Sequence, residues 1–297
     1  MSIIMGFIKN RPVLVYFILT FTISWGSFLF IIGGPGGIPA TKDQFQTLLP
    51  FVIPLFIIGP CAAGLMMIGL TSGMAGFRGL ISRVSKWRVG VRWYAIALLS
   101  APVLFTAVHS ALSFVSPVFL PGIITSNDKA ALLLSGLAGG VIVGVLEEIG
   151  WTGFATTKLR LRTDMLSTGL ILGVMWGAWH LLPHNFWAVS ISSGNLSPVL
   201  FATLNGLSFL LGQLVAFRIL MVWVYERTGS LLLAILMHIS LTTCTFILGP
   251  SSLTISGVSL LIYDVILAIA WWGVVVAVAV SNRTRFIRHP ILERSAH

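Results

Sequence analysis

Residues 131–155 read ALLLSGLAGGVIVGVLEEIGWTGFA. Twenty-five residues in a row hold no polar side chain larger than Ser or Thr except two adjacent acids, Glu147 and Glu148. As a helix rising about 1.5 Å per residue, such a stretch is long enough to cross a hydrocarbon layer about 30 Å thick. The rest of the chain has the same character. Of its 297 residues, 57% are hydrophobic and only 9% are charged, and the mean hydropathy is +0.99. Soluble domains carry about 25% charged residues, and disorder needs low hydrophobicity, so both classes are excluded. The expected fold is an all-α, polytopic helical bundle in the membrane. Each span takes about 20 residues, which leaves no room for a separate soluble domain. Residues 1–297 are therefore read as one transmembrane domain.

Apolar runs bounded by charge or by Gly and Pro predict eight spans, at 12–33, 47–70, 92–116, 131–155, 166–183, 198–224, 230–249 and 257–280. The first resembles a signal sequence, but it is long for one and is followed by Gly-Gly-Pro-Gly-Gly at 33–37, so it is read as a retained span. Cys61 and Cys244 both lie in apolar stretches, which implies no disulfide framework. The net charge of +10 would suggest nucleic acid in a soluble chain. Its distribution gives another reading. Sixteen of the eighteen Lys and Arg residues fall at alternate loops, with Arg218 counted at the edge of the sixth span, and only Lys42 and Lys129 fall on the other side. The positive-inside rule then predicts both termini in the cytoplasm, a prokaryotic plasma membrane suits the bias, and no nucleic-acid partner is expected.

Ionisable groups inside the spans are few: His109, Glu147, Glu148, His180, His238 and Asp264, with Arg218 near an edge. A charge at mid-bilayer costs about 2.5 kcal/mol or more, so such residues usually face the bundle interior and mark a pathway or a reaction site. By helical rise, Glu147 lies about 16 Å from the expected cytoplasmic edge, His180 about 22 Å and His238 about 14 Å. Three polar groups from three spans thus fall at overlapping depths and can converge. His109 and Asp264 have no neighbouring motif and are read as helix–helix hydrogen-bond partners. Pro183 is expected to end the fifth helix, which would separate His184 from the face of His180. A carboxylate with an imidazole can act as general base and acid on a bound water, or can hold a divalent metal that activates the water. Proton-coupled transport would use the same groups.

The stretch Glu147-Glu148-Ile149-Gly150-Trp151-Thr152-Gly153-Phe154 resembles the first motif of the CPBP family, the CAAX proteases and bacteriocin-processing enzymes, which reads Glu-Glu-x-x-x-Arg. Trp176-Gly177-Ala178-Trp179-His180 is similar to the second motif, an aromatic residue, usually Phe, four positions ahead of His. His238 resembles the third, His-x-x-x-Asn, and the basic stretch from Phe77 to Tyr94 looks like the loop before the family's third span. The resemblance covers about 75–280.

The resemblance implies an intramembrane endopeptidase acting on a prenylated, membrane-associated or leader-peptide substrate. In it Glu147 activates the water, Glu148 completes the acid pair, and His180 assists or holds a metal. His238 and Thr242 then stabilise the oxyanion. Zinc or another divalent ion, held by His180, His238 and Glu147, is the cofactor the resemblance allows. Two positions depart from the motifs: Thr152 stands where the family has Arg, and Thr242 where it has Asn. Thr152 leaves Glu148 without its expected counter-ion, so Glu148 is expected to be protonated or paired from another helix. These departures keep a second reading open, a catalytically impaired relative acting as a scaffold or in bacteriocin immunity. A proton-coupled transporter is the third.

Overall fold

The computed structural model describes residues 3–38, 40–187, 196–250 and 255–282. Among these there is no strand, and eight helices are long and apolar enough to cross a membrane. After a short helix at Ile3–Asn10 come α1 (Pro12–Ile31), α2 (Lys42–Val84), α3 (Val91–Ser113) and α4 (Lys129–Gly150). α5 (Met165–Trp187), α6 (Pro198–Thr228), α7 (Leu231–Leu248) and α8 (Gly257–Ser281) complete the bundle. The predicted spans match in number and order. The C-terminal arginines at 283, 285, 288 and 294 lie outside the described residues.

α2 differs most from expectation. It runs on past residue 70 to Val84, so the basic stretch that was read as a loop begins as helix. The break comes at Gly73, whose backbone (φ 56°, ψ −148°) leaves the helical region where only glycine is unstrained. Caps mark some of the other ends. Thr41 and Gln44 form a capping box at the start of α2, and Gly229 takes a left-handed conformation at the end of α6.

α5 also differs. Pro183 does not end it, because the helix continues to Trp187. A proline removes the N–H that would bond the carbonyl four residues back, here that of Trp179. In lipid an orphan carbonyl must find another donor, and the Trp25 indole of α1 supplies it at 2.9 Å. The same solution recurs twice. Pro60 frees the carbonyl of Phe56, which accepts from the Ser24 hydroxyl at 2.7 Å. Pro102 frees that of Leu98, which accepts from Ser240 at 2.9 Å. Three prolines inside spans are thus tolerated because a neighbouring helix satisfies each freed group.

Two glycine rows set the distances that matter. Gly136, Gly140 and Gly144 line the face of α4 against α7, and a Cβ on Gly144 would lie 3.0 Å from the backbone nitrogen of Ile239. Gly169, Gly173 and Gly177 line α5 against α6, where a Cβ on Gly173 would lie 2.8 Å from the Cα of Val215. Helices approach this closely in membranes when the interface residues are small. The first contact brings the Glu147–Glu148 turn beside His238. The second brings Trp176 beside Arg218.

Two of the helices around the acids contain a π segment. α4 passes at Trp151–Thr156 into a π turn directly after the acids and then continues to Leu159. α6 carries another at Leu207–Gln213. Such bulges often occur at functional sites. Asp264 of α8 holds the second one, accepting from the side-chain amides of Asn205 and Gln213. His109 bonds the Phe119 carbonyl at 2.7 Å. Asp264 is thus a helix–helix partner, as read from the sequence, whereas His109 ties the end of α3 to the turn that follows it.

Candidate active site

Adjacent residues on a helix point about 100° apart, and this separates the two acids. Glu147 lines a cavity of about 490 Å³. Glu148 turns away from it and is fully buried between α4, α6 and α7. Its Oε2 accepts from Arg218 Nη1 at 2.9 Å and from the Thr152 hydroxyl. Its Oε1 accepts from His238 Nδ1 at 2.7 Å. Of the two expected fates for Glu148, pairing from another helix is the one observed.

Arg218 requires a correction. Counted from the sequence as a marker of the cytoplasmic edge, it is fully buried and forms an ion pair with the fully buried Glu148. It lies ten residues before Thr228 at the end of α6, about 15 Å along the axis by helical rise. The depth arithmetic used for the acids and histidines would have placed it with them.

Trp176 joins the parts. Its Nε1–H donates to Glu147 Oε2 at 2.7 Å. Its ring carries the Arg218 guanidinium 4.2 Å from the centroid and meets the His238 ring edge-on at 5.2 Å. Its carbonyl accepts from His180 Nδ1 at 2.9 Å. Because a carbonyl only accepts, His180 carries its proton on Nδ1 and keeps a bare Nε2. The Glu148 carboxylate fixes Nδ1–H of His238 in the same way and leaves its Nε2 free. Phe56 stacks on Trp179 at 4.0 Å, and Trp179 meets His180 edge-on at 4.7 Å, so the imidazole is walled by aromatic rings.

The residues singled out from the sequence therefore divide. Glu147, His180, His238 and Thr242 line the one cavity, and Glu148 stands behind it. His184, expected to be separated by Pro183, lines the same cavity one turn beyond His180 because the helix continues. Gln213 of the second π segment lines it too. Sequence reading missed the roles of Arg218 and of the Trp176 N–H. Among the described residues no group of three or more His, Cys, Asp or Glu side chains is placed to hold a metal ion, the set of Glu147, His180 and His238 included.

A cavity in a bundle of apolar helices, with one carboxylate and two oriented imidazoles on its wall, fits a class: a polytopic membrane protein with groups suited to acid–base chemistry on a bound molecule. Comparison with known proteins narrows it. A family described as type II CAAX prenyl endopeptidase Rce1-like matches residues 129–244, a span that holds all three motifs. The chain is also similar to CAAX prenyl protease 2 of Methanococcus maripaludis, at 20% identity over 275 residues, covering 86% of this chain and 95% of that protein. These findings support the CPBP/CAAX protease family read from the motifs, and with it an intramembrane protease.

Proposed function

We propose that the protein is an endopeptidase that hydrolyses a peptide bond within this cavity, with Glu147 as the base. The observation that carries the reading is the position of the Glu147 carboxylate. It stands on the cavity wall, held by one indole N–H at Oε2. A water bound there gives its proton to Glu147 as its oxygen attacks the scissile carbonyl. The bare Nε2 of His180 accepts the water's second hydrogen and orients it. The Thr242 hydroxyl donates to the developing oxyanion, and the His238 ring, held by Glu148, lines the same cavity. Glu147 then returns the proton to the leaving nitrogen as the C–N bond breaks. Proton transfer of this kind contributes about 10²–10⁴-fold.

The substrate class follows from the lining. Ile53, Phe56, Ile57, Val143, Leu214 and Leu241 give most of the wall an apolar surface. A substrate with a lipid or apolar segment beside the scissile bond suits it, and the name of the archaeal relative points to a prenylated cysteine near a C-terminus. The scaffold reading drew its support from Thr152 and Thr242, and a buried guanidinium beside Glu148 answers the first of the two.

The test uses the purified full-length protein in detergent with a fluorogenic farnesylated peptide ending in Cys-aliphatic-aliphatic-Met, the same peptide without lipid, and a leader-type peptide. Cleavage is expected for the farnesylated peptide and lost in Glu147→Ala and His180→Ala. Equal cleavage by the wild type and both variants would sink the mechanism.

A further inference from the structure

The first motif of the family places an Arg four residues after the second acid, and this chain has Thr152 there. The second places Phe where this chain has Trp176. The structure links these two departures through a third residue. Thr152 donates its hydroxyl to Glu148 Oε2, and the cation on that same oxygen is Arg218 from α6. The guanidinium carbon lies over the Trp176 ring, 4.2 Å from its centroid, and the N–H of that ring bonds Glu147 at 2.7 Å. An unbroken path therefore runs from Glu148 through Arg218 and Trp176 to Glu147.

We infer that Arg218 is the motif's cation moved to another helix, and that it acts as a positioning residue for Glu147 through Trp176. This rests on the protease reading above. The bonding pattern of the guanidinium supports it. Only Nη1 bonds Glu148, while Nε and Nη2 have no partner among the described residues. Arg–carboxylate pairs are frequently bidentate, with two parallel N–H bonds. Here the group also sits over the indole face, a cation–π contact that restrains the ring. Phe could hold the cation but has no N–H to give Glu147. Trp at 176 and a stacked Arg at 218 therefore make sense together. Space is consistent with the exchange, since Thr152 and Arg218 are both buried around the same carboxylate oxygen, so removing the long side chain from 218 vacates room for one at 152.

The experiment compares Arg218→Ala, Thr152→Arg combined with Arg218→Ala, and Arg218→Lys with the wild type, all as full-length protein in detergent. Two readouts are taken. One is the ¹⁵N–¹H indole resonance of Trp176, assigned as the one lost in Trp176→Phe. The other is cleavage of the farnesylated fluorogenic peptide. Arg218→Ala should shift the indole resonance and lower kcat by on the order of 100-fold, the scale of a misplaced reacting group, with KM little changed. The double variant should recover kcat to within about tenfold of wild type. An unmoved indole resonance, wild-type cleavage by Arg218→Ala, or a double variant no better than the single one would each overturn the inference. If the wild type cleaves no peptide, the protease reading fails and the indole shift alone decides the role of Arg218. If Arg218→Ala does not fold, Arg218→Lys keeps the charge at Glu148 without the planar face. It should still shift the indole resonance, and an unshifted resonance counts against the inference.

Discussion

Trp176→Phe isolates one hydrogen bond. The Phe ring keeps the apolar contacts with His180 and His238 and a face for the Arg218 guanidinium, and only the Nε1–H that meets Glu147 Oε2 at 2.7 Å is lost. Trp176 and Glu147 are each about 1% exposed, so bulk water does not replace the donor. Hydrogen bonds to charged groups are worth about 1.5–3 kcal/mol. At about 1.4 kcal/mol per decade of rate, that is roughly a 10- to 150-fold loss if the bond orients Glu147 in the transition state. The expected result is a fall in kcat of that size, a KM close to wild type and a modest fall in melting temperature in detergent. Trp176→Leu, which also removes the ring under Arg218, should lose more activity and melt lower. The check is steady-state cleavage of the farnesylated peptide beside a thermal melt of the same preparation. A Trp176→Phe variant that cleaves within about twofold of wild type, a difference of only about 0.4 kcal/mol, would show that the indole N–H does not position the base.

Gly144→Ala should separate α4 from α7, because the new Cβ would meet Ile239 Cγ1 at 2.7 Å and the Ile239 backbone nitrogen at 3.0 Å. Overpacking of this kind costs about 1–3 kcal/mol, and the Glu148–His238 bond next to it should weaken, so both melting temperature and cleavage fall. Gly273→Ala, with nothing within 4 Å of its Cβ position, is the control, and equal effects at the two sites would refute the close-approach argument. Trp25→Phe should destabilise the fold by about 1–3 kcal/mol by leaving the Trp179 carbonyl without a donor. Adding Pro183→Ala should recover much of that, since the backbone N–H returns to the same carbonyl, and simple additivity in the melt would refute the account.

How far the sequence could be read depended on the kind of signal. Eight spans are legible because hydropathy is a sum over some twenty residues, and no single side chain decides it. The overlap in depth of Glu147, His180 and His238 is legible because helical rise is constant. Partners across helices are not, since they depend on which faces meet. Pro183 illustrates this. Its local rule, that proline ends a helix, assumes an unmet carbonyl, and here the remedy is a Trp indole more than 150 residues away in the chain. Arg218 illustrates the reverse error. Grouped with the loop cations, it counted towards topology, although its position along α6 already placed it deep among the apolar residues.

The two acids next to each other in α4 also explain why so much of the site lies behind the cavity. Two unpaired carboxylates at one level of a bilayer would repel each other and would each be expensive to bury. The helix turns them to different faces, and the bundle treats them differently. Glu148 receives a guanidinium, an imidazole and a hydroxyl, enough to hold a full negative charge away from water. Glu147 receives one indole N–H and the open cavity. Its remaining lone pairs are therefore free for a water molecule, which is the requirement for a base. Three of the polar groups around Glu148 and Glu147, namely Arg218, Trp176 and His238, also touch one another through the Trp176 ring. The neutralised acid and the available one are thus parts of a single arrangement. Where the motif has an Arg, Thr152 shares Glu148 Oε2 with a guanidinium supplied from α6, so the acid is paired despite the replacement.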